Sequence, residues 1–199
     1  MRPQNKSIGF LALVSTVVLS ASSVVAPITF QPESRLWVDG TSTVRAYSCK
    51  ATTLNGNVAA TGSDASLAIG ELQKAVRTVD LTVPVQSLDC GNGTMNGHLR
   101  NALKATENPA IKFRVAQYDV LPGGENEGTV KLKGNLTIAG QQNPVTIDAS
   151  VTSDGNGGLR VKGSKEILMS EFGVRPPTLM MGTLKVRDRV VVNFDVVLK

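Results

Sequence analysis

Few side chains in this chain of 199 residues could transfer protons, attack a substrate or bind a metal. His98 is the single histidine of the sequence, so a catalytic triad would have to use it, and no G-x-S-x-G turn is present to expose a serine nucleophile. A zinc site needs three or four nitrogen, sulfur or oxygen ligands, which one histidine and two paired cysteines do not provide. The sequence therefore predicts no catalytic residue, no metal site and no cofactor.

Carboxylates are the other candidates for acid–base chemistry. Asp80, Asp148 and Asp195 could supply a pair, but each occupies a polar position of an alternating segment and is expected to face water. His98 could act as an acid–base group, but a histidine in a helix is more often solvated or a helix cap. An enzyme is therefore the minority hypothesis.

The first 26 residues have the layout of a secretory signal peptide. Arg2 and Lys6 precede an uncharged apolar run over residues 8–19, and small residues follow as far as Ala26. Cleavage is expected after Ala26 or after Ser23, and the segment is also about long enough for an uncleaved anchor. No cysteine follows the run, which excludes a lipoprotein anchor, and no later segment resembles a membrane span. The leader predicts export, to the periplasm or by secretion.

Export bears on the role of Cys49 and Cys90, the only two cysteines of the sequence. Disulfides persist in oxidising compartments, and an even number of cysteines favours pairing. The alternative is a redox or metal site, but the chain has no C-x-x-C motif. We therefore predict a disulfide that ties an early strand to the segment before a helix.

The clearest structural pattern is a strict alternation of apolar and polar residues between positions 128 and 151. One face of the first segment carries Val130, Leu132, Gly134, Leu136 and Ile138. After a turn over residues 140–144, the alternation resumes with Val145, Ile147, Ala149 and Val151. A period of two indicates antiparallel strands with one buried and one wet face.

The same alternation recurs over most of the chain after residue 36, interrupted by turn-forming residues. We count about eight strands of ordinary length. No segment has the composition of a linker, and no repeat of fixed period is present. Residues 36–199 are therefore predicted to form one all-β domain.

Residues 94–105 break this rhythm. Met95, Leu99 and Leu103 are spaced by four, which indicates a short amphipathic helix. Asn92 or Thr94 could cap its start, and the following Asn-Pro pair ends it. The apolar stripe is expected to seal one end of the core, with direct ligand contact as the alternative.

Small residues on the predicted inner face leave space in the sheet's interior. They are Gly56, Ala60, Gly134, Ala149 and Gly163. An eight-stranded barrel is just wide enough to be filled by its own side chains or to hold one slim ligand. An alkyl or prenyl chain would suit this space; the alternative is that Phe113 and Phe194 fill it.

The charge distribution gives no sign of a nucleic-acid partner. The chain has 21 basic and 16 acidic residues, and Arg2 and Lys6 belong to the leader. The other basic residues are scattered over the wet faces of strands, without the interleaved aromatic residues that nucleic-acid binding requires. We predict that these charges solvate the surface, and the pattern does not indicate an oligomeric state.

Four segments together match the pattern of a known protein family. Residues 97–113 read Gly-His-Leu-Arg-Asn-Ala-Leu and then Asn-Pro-Ala-Ile-Lys-Phe, and residues 134–147 follow the pattern G-x-L-T-I-x-G-x-x-x-P-V. Ser-Glu-Phe-Gly-Val at residues 170–174 and Trp-Val-Asp at residues 37–39 complete the match. In these segments the chain resembles the YceI-like proteins.

The resemblance implies an eight-stranded, lipocalin-like antiparallel barrel with one short helix and an internal tunnel. Proteins of this family are exported, mostly to the bacterial periplasm, and some hold a polyisoprenoid or a similar amphiphile. The chain departs from the family pattern at two places where the lip of the tunnel would lie. Asn96 replaces an acidic residue, and Ala102-Leu103 replaces an aromatic pair.

The residues expected to bind a ligand lie in the tunnel or at its lip. They are Leu99, Arg100, Phe113, Gly134, Leu136, Gly163, Phe172, Met180 and Phe194. Arg100 is the candidate partner of an anionic headgroup, because a guanidinium can bind phosphate through two hydrogen bonds; a solvated helix arginine is the alternative. Phe172 and Met180 belong to an apolar loop over residues 169–182, which forms either an adaptable lid or a static plug.

Three kinds of function remain. The prediction is an exported protein that binds a long apolar amphiphile, a polyisoprenoid or another lipid, for carriage or sequestration. The first alternative is an enzyme that acts on such a lipid through His98, Arg100 and Glu171 at the tunnel mouth. The second is a structural or partner-binding barrel whose core is filled.

Overall fold

The structure is a computed structural model that describes residues 28–60, 69–153 and 157–199. Within these ranges the chain forms eleven strands: β1 (Arg35–Ser42), β2 (Ala46–Ala51), β3 (Asn55–Ala60), β4 (Val76–Pro84), β5 (Leu88–Asp89), β6 (Ala110–Pro122), β7 (Glu127–Ile138), β8 (Gln141–Ser153), β9 (Leu159–Leu168), β10 (Thr178–Leu179) and β11 (Leu184–Leu198). The two α-helices are α1 (Leu72–Ala75) and α2 (Gly93–Ala102). The predicted leader over residues 1–26 lies outside the described residues.

All strand pairs are antiparallel, in the order β3-β4-β6-β7-β8-β9-β11-β1-β2-β5, with β10 beside β11. Residues 28–31 join β3, at one end of this path, to β11, which lies three strands from the other end. Ile28 bridges Val58 of β3, and Phe30 bridges Leu198 of β11. The Thr29 amide donates to the Lys199 carbonyl at 2.8 Å. The sheet thereby curls into a barrel, and pairing begins ahead of residue 36.

The prediction of an all-β antiparallel barrel is confirmed, with a different number of strands. Two of the eleven strands, β5 and β10, have only two residues, a length that alternation cannot reveal. The turn between β7 and β8 is also tighter than expected. Ala139 and Gly140, with φ values of 48° and 82°, form a two-residue hairpin, and β8 pairs with β7 from Gln141 onward.

The predicted helix is present as α2. Of its two candidate caps, Asn92 is the one used, since its side chain accepts a hydrogen bond from the Met95 amide at 3.0 Å. The four-residue helix α1 escaped prediction because it is too short to show a periodicity. No helix in the described ranges is both long and apolar enough to span a bilayer.

Several charged residues form ion pairs on the outer face of the barrel. Arg160 binds Asp195 through two hydrogen bonds of 2.7 and 2.6 Å, and these bonds hold the pKa of the Asp195 carboxyl below its usual value. Asp148 lies 3.5 Å from the Lys131 ammonium, and Asp80 lies 2.6 Å from a guanidinium nitrogen of Arg114. The three carboxylates considered for catalysis therefore stand outside the barrel with basic partners.

Two apolar clusters fill the ends of the barrel. The first lies at the α2 end and contains buried residues of several strands, including Leu36, Val83 and Val190, together with Leu103 and Phe172. The second lies at the other end, around α1, and its buried members are Ile28, Val58, Ile69, Leu72, Val151 and Leu159. The space between the two clusters is the interior of the barrel.

Cys49 of β2 and Cys90, just ahead of α2, form the predicted disulfide. The bond attaches the segment that carries α2 to the barrel wall. A second contact at the same place is the β2–β5 ladder, which joins Lys50 to Asp89 and Ala51 to Leu88.

Removing the disulfide is expected to destabilise the barrel without changing its fold. In the chain-entropy model, the loop between residues separated by 41 positions contributes about 4 kcal/mol to the free energy of unfolding. The double variant Cys49→Ala, Cys90→Ala should therefore unfold at a lower urea concentration, as measured by circular dichroism. Wild-type protein in reductant is the matched comparison. Two free thiols in the unreduced native protein, or an unchanged free energy of unfolding in the double variant, would contradict this assignment.

Candidate ligand-binding cavity

A cavity of about 490 Å³ lies between the two apolar clusters. This volume falls within the roughly 300–1,000 Å³ that is usual for small-molecule sites. Its wall consists mostly of inward-facing aliphatic and aromatic side chains from the strands of the barrel. Val38, Leu132, Ile147 and Val192 are among them, and Met95, His98 and Leu99 contribute from α2. The wall suits an elongated apolar molecule.

Aromatic rings of the cavity wall lie against glycines of neighbouring strands. A Cβ built on Gly163 would lie 2.5 Å from Cζ of Phe194, its cross-strand partner. Gly56 has the same relation to the ring of Phe30, whose atoms are the three nearest to a Cβ at that position. The rings thus occupy the volume that side chains at these positions would take. They lie along the wall, and the lumen beside them stays open.

Gly134 has a further reason to lack a side chain. The β6–β7 register shifts between Val115 and Gln117, and beside this bulge the Arg114 carbonyl of β6 lies where a Cβ of Gly134 would be. A Cβ at Gly134 would collide with this carbonyl oxygen and approach Cε2 of Phe113 to 2.9 Å. Close approach of backbone, as well as packing of a ring, therefore requires glycine here.

The structure brings together five of the nine residues expected in the tunnel or at its lip. The five that line the cavity are Leu99, Phe113, Leu136, Phe172 and Phe194. Gly134 and Gly163 lie behind the aromatic rings and do not line it themselves. The side chain of Met180 lies outside the described part of the chain.

Arg100 does not line the cavity. One of its guanidinium nitrogens donates to the Gln86 carbonyl at 3.3 Å, and its Nε is buried without a hydrogen-bond partner. Its charge also helps to lower the pKa of Asp89, after the hydrogen bonds that this carboxylate accepts from Asn96 and from the Gly91 amide. In this position Arg100 supports the segment ahead of α2.

Asn96, one of the departures from the family pattern, links two parts of that segment. Its side-chain oxygen accepts a hydrogen bond from the Cys90 amide at 2.7 Å, and its side-chain nitrogen donates to Asp89 at 2.8 Å. An acidic residue could accept the first bond but, when ionised, could not donate the second. The amide at position 96 therefore matches the carboxylate at position 89.

The apolar loop after β9 packs into the α2-end cluster at its start. Phe172 and Val174 are both buried. Ser170 fixes the turn over Met169–Phe172, because its amide and hydroxyl donate to Asp188 at 2.8 and 2.5 Å. Met181, further along the loop, is fully exposed. The first part of the loop thus has the contacts of a plug.

The opposite end of the cavity is held by Tyr118. Its hydroxyl lies 2.8 Å from the carbonyl of Leu72, the first residue of α1, and 2.6 Å from the carbonyl of Val76, which follows α1. Burial raises the pKa of the Tyr118 phenol, so the group stays neutral over the physiological pH range. Tyr47, another lining residue, also has a pKa raised by burial.

Two basic residues of the cavity wall, Arg45 and Lys165, were missed by the sequence analysis, which had considered only His98 of this wall for the tunnel mouth. Arg45, His98 and Lys165 line the cavity, and no acidic residue among the described residues does so. The signal for Lys165 was available, because it has the same strand phase as Val161, Gly163 and Ile167. Only apolar and small residues were considered for the inner face of this strand, so Lys165 was not included.

Adding a methyl group at Gly56 is expected to displace the Phe30 ring and to lower the free energy of unfolding by about 1–3 kcal/mol. Replacing Phe30 with leucine should relieve most of this cost, since the nearest atoms all belong to the ring. A double-mutant cycle of Gly56→Ala and Phe30→Leu, measured by urea unfolding, should give a coupling energy above about 0.5 kcal/mol. Gly70→Ala, where no atom lies within 4 Å of the added carbon, is the control. Additive effects in the cycle would show that the ring does not depend on the glycine.

Asn96→Asp is expected to lower the melting temperature at neutral pH, because it places a second carboxylate beside Asp89 and removes a donor. The lowered pKa of Asp89 means that its hydrogen bonds stabilise the protein above the ordinary carboxyl pKa and are lost as the pH falls through the folded-state value. Repulsion in the variant is also relieved by protonation, so the gap between variant and wild type should narrow in acid. Asn101→Asp, on the exposed side of α2, is the control. A gap that does not change between pH 7 and pH 3 would refute this role of Asn96.

Comparisons with known proteins agree with this architecture. The sequence model of the YceI-like domain matches residues 16–198 of the chain. A UPF0312 protein of Pseudomonas paraeruginosa is 29% identical over 119 residues, which cover 56% of this chain and 60% of that protein. A UPF0312 protein of Serratia proteamaculans is 30% identical over 118 residues, covering 56% and 59%. The chain thus spans about 60% of the length of these relatives.

Solved structures share the fold. BcnA of Burkholderia cenocepacia superposes with a TM-score of 0.64 at 21% identity, over 83% of this chain and 96% of that protein. A polyisoprenoid binding domain from Saccharophagus degradans, implicated in plant cell wall breakdown, gives a TM-score of 0.65 at 15% identity, over 86% and 97%. By its sequence match over almost the whole barrel, the chain belongs to the YceI-like family.

Proposed function

We propose that this chain is an exported protein that binds one elongated apolar amphiphile, a polyisoprenoid or a similar lipid, inside its barrel for carriage or sequestration. The observation that carries the proposal is the cavity, which stays open between two well-packed clusters because the aromatic rings lie along its wall. A lipid-binding role also fits the family and the polyisoprenoid binding domain that shares the fold.

The apolar wall supplies the affinity in this proposal. Each methylene group that moves from water into the lumen contributes about 0.8 kcal/mol. A chain with about ten buried methylenes would gain on the order of 8 kcal/mol, from which the loss of translational and conformational freedom is subtracted. The remaining free energy is enough for a carrier that must also release its ligand.

Export is supported by the signal-peptide pattern of residues 1–26 and by the Cys49–Cys90 disulfide, a bond that persists in oxidising compartments such as the periplasm. An enzymatic role would need a polar cluster at the mouth of the cavity. Of the residues considered for it, Arg100 binds Gln86 and Glu171 is exposed, while His98 lines the cavity. No observation favours catalysis over binding.

Filling the lumen is expected to abolish ligand binding while the barrel stays folded. Val192 lines the cavity, whereas its neighbour Val191 lies on the other face of β11. In Val192→Trp the indole should take the space of the ligand, and the affinity for the neutral fluorescent probe N-phenyl-1-naphthylamine should fall at least about tenfold. Fluorescence titration, with displacement by farnesol, measures the loss.

Val191→Trp is the matched control and should bind the probe as the wild type does. Circular dichroism and the melting temperature check that both variants are folded. If Val192→Trp is folded and still binds the probe with unchanged affinity, the ligand does not occupy the lumen and the proposed function is wrong.

A further inference from the structure

Lys165 is a basic side chain on the inner face of β9. Buried or half-buried positions alternate with exposed ones along this strand, and Lys165 is half-buried between the exposed Ser164 and Glu166. It shares its face with Val161 and Ile167, and all three side chains line the cavity. Its cross-strand partner on β11 is Val192, which also lines the cavity. The strand phase therefore directs this lysine toward the lumen.

Lys165 has no partner for its charge in the described part of the chain. None of the ion pairs among the described residues includes Lys165, and its ammonium group donates no hydrogen bond to them. No described acidic residue lines the cavity. A charged amine beside an apolar wall costs free energy unless an opposite charge or a hydrogen-bond acceptor compensates it. In the described residues, that compensating group is missing.

The sheet is split next to Lys165. The β8–β9 ladder ends at the pair Ala149–Gly163, so the β8 residues 141–148 and the β9 residues 164–168 are not hydrogen-bonded to each other. Pro144, which has no N–H to donate, lies in the unpaired part of β8. Lys165 and Ile147 are lining residues on opposite sides of the split. Backbone N–H and C=O groups along the split lack ladder partners, which adds polar groups to this part of the wall and favours a charged headgroup there.

We propose that Lys165 binds the anionic group of the ligand, a carboxylate or a phosphate, so that the barrel selects anionic amphiphiles over neutral ones of the same chain. This inference rests on the proposed function and names the headgroup class that the same cavity takes. An ammonium group forms strong, charge-assisted hydrogen bonds with such oxygens. Arg45, another basic residue of the wall, favours the same sign of charge. Lys165, inside the barrel, thus replaces Arg100 as the expected contact of the headgroup.

Three ligands with one prenyl chain test the proposal: farnesyl phosphate, farnesoic acid and farnesol. Each is titrated against wild-type protein loaded with N-phenyl-1-naphthylamine, and the displacement gives its affinity. Wild-type protein should bind at least one of the two anions about tenfold or more tightly than farnesol, the ratio expected of a hydrogen bond to a charged group. The two anions separate a phosphate from a carboxylate preference.

Lys165→Met keeps the length and the apolar stem of the side chain but removes the charge. It should bind farnesol as the wild type does and should lose the preference for the anions. Lys162→Met is the matched control, because Lys162 lies on the outer face of the same strand, 3.6 Å from Asp195. This control should retain the preference. Circular dichroism and the melting temperature verify that both variants are folded.

The outcomes separate the inference from the function on which it rests. If wild-type protein binds farnesol and the anions equally, or if Lys165→Met keeps the full preference for anions, Lys165 does not select the headgroup, and the lipid-binding function stands. If wild-type protein binds none of the three ligands and does not bind the probe, the proposed function fails and the inference with it.

Discussion

Phe30 and Phe194 each pack against a glycine on a neighbouring strand, and the open interior of the barrel depends on this packing. A ring that lies flat on the wall covers the backbone of the strand beside it, which compensates for the missing side chain of the glycine. If these glycines had a Cβ, the rings would have to turn into the lumen. Phe30 also belongs to the segment that bridges β11, so the same packing supports the closure of the sheet.

The division of charges between the two faces follows from the closed sheet. Arg160 and Lys162 of β9 both approach Asp195 on the outside, where water screens them and ion pairs contribute little to stability. On the inside, the same strand presents Lys165 to an apolar wall. An uncompensated charge there costs folding free energy, but in the proposed function it gives the cavity a preference for anionic headgroups that an aliphatic wall cannot supply.

Much of the fold could be predicted from the sequence because its signals are local. The alternation over residues 128–151 gave β7 and β8, and the spacing of Met95, Leu99 and Leu103 gave α2. The number of cysteines gave the disulfide. The interior was harder, since the fit between Phe194 and Gly163 depends on which strands are neighbours and in which register. Arg100 could not be placed from its position on the helix, because its partner Gln86 belongs to a turn that the sequence does not reveal.

Native mass spectrometry of the protein, exported by a bacterial host and purified without detergent, tests the central claim most directly. We predict a folded species heavier than the chain by the mass of one elongated amphiphile, which is released when the protein unfolds. Fragmentation of the released molecule should show a long apolar chain with one acidic group. A folded protein that has only the mass of the chain, and that gains no mass when prenyl lipids are added, would contradict the account.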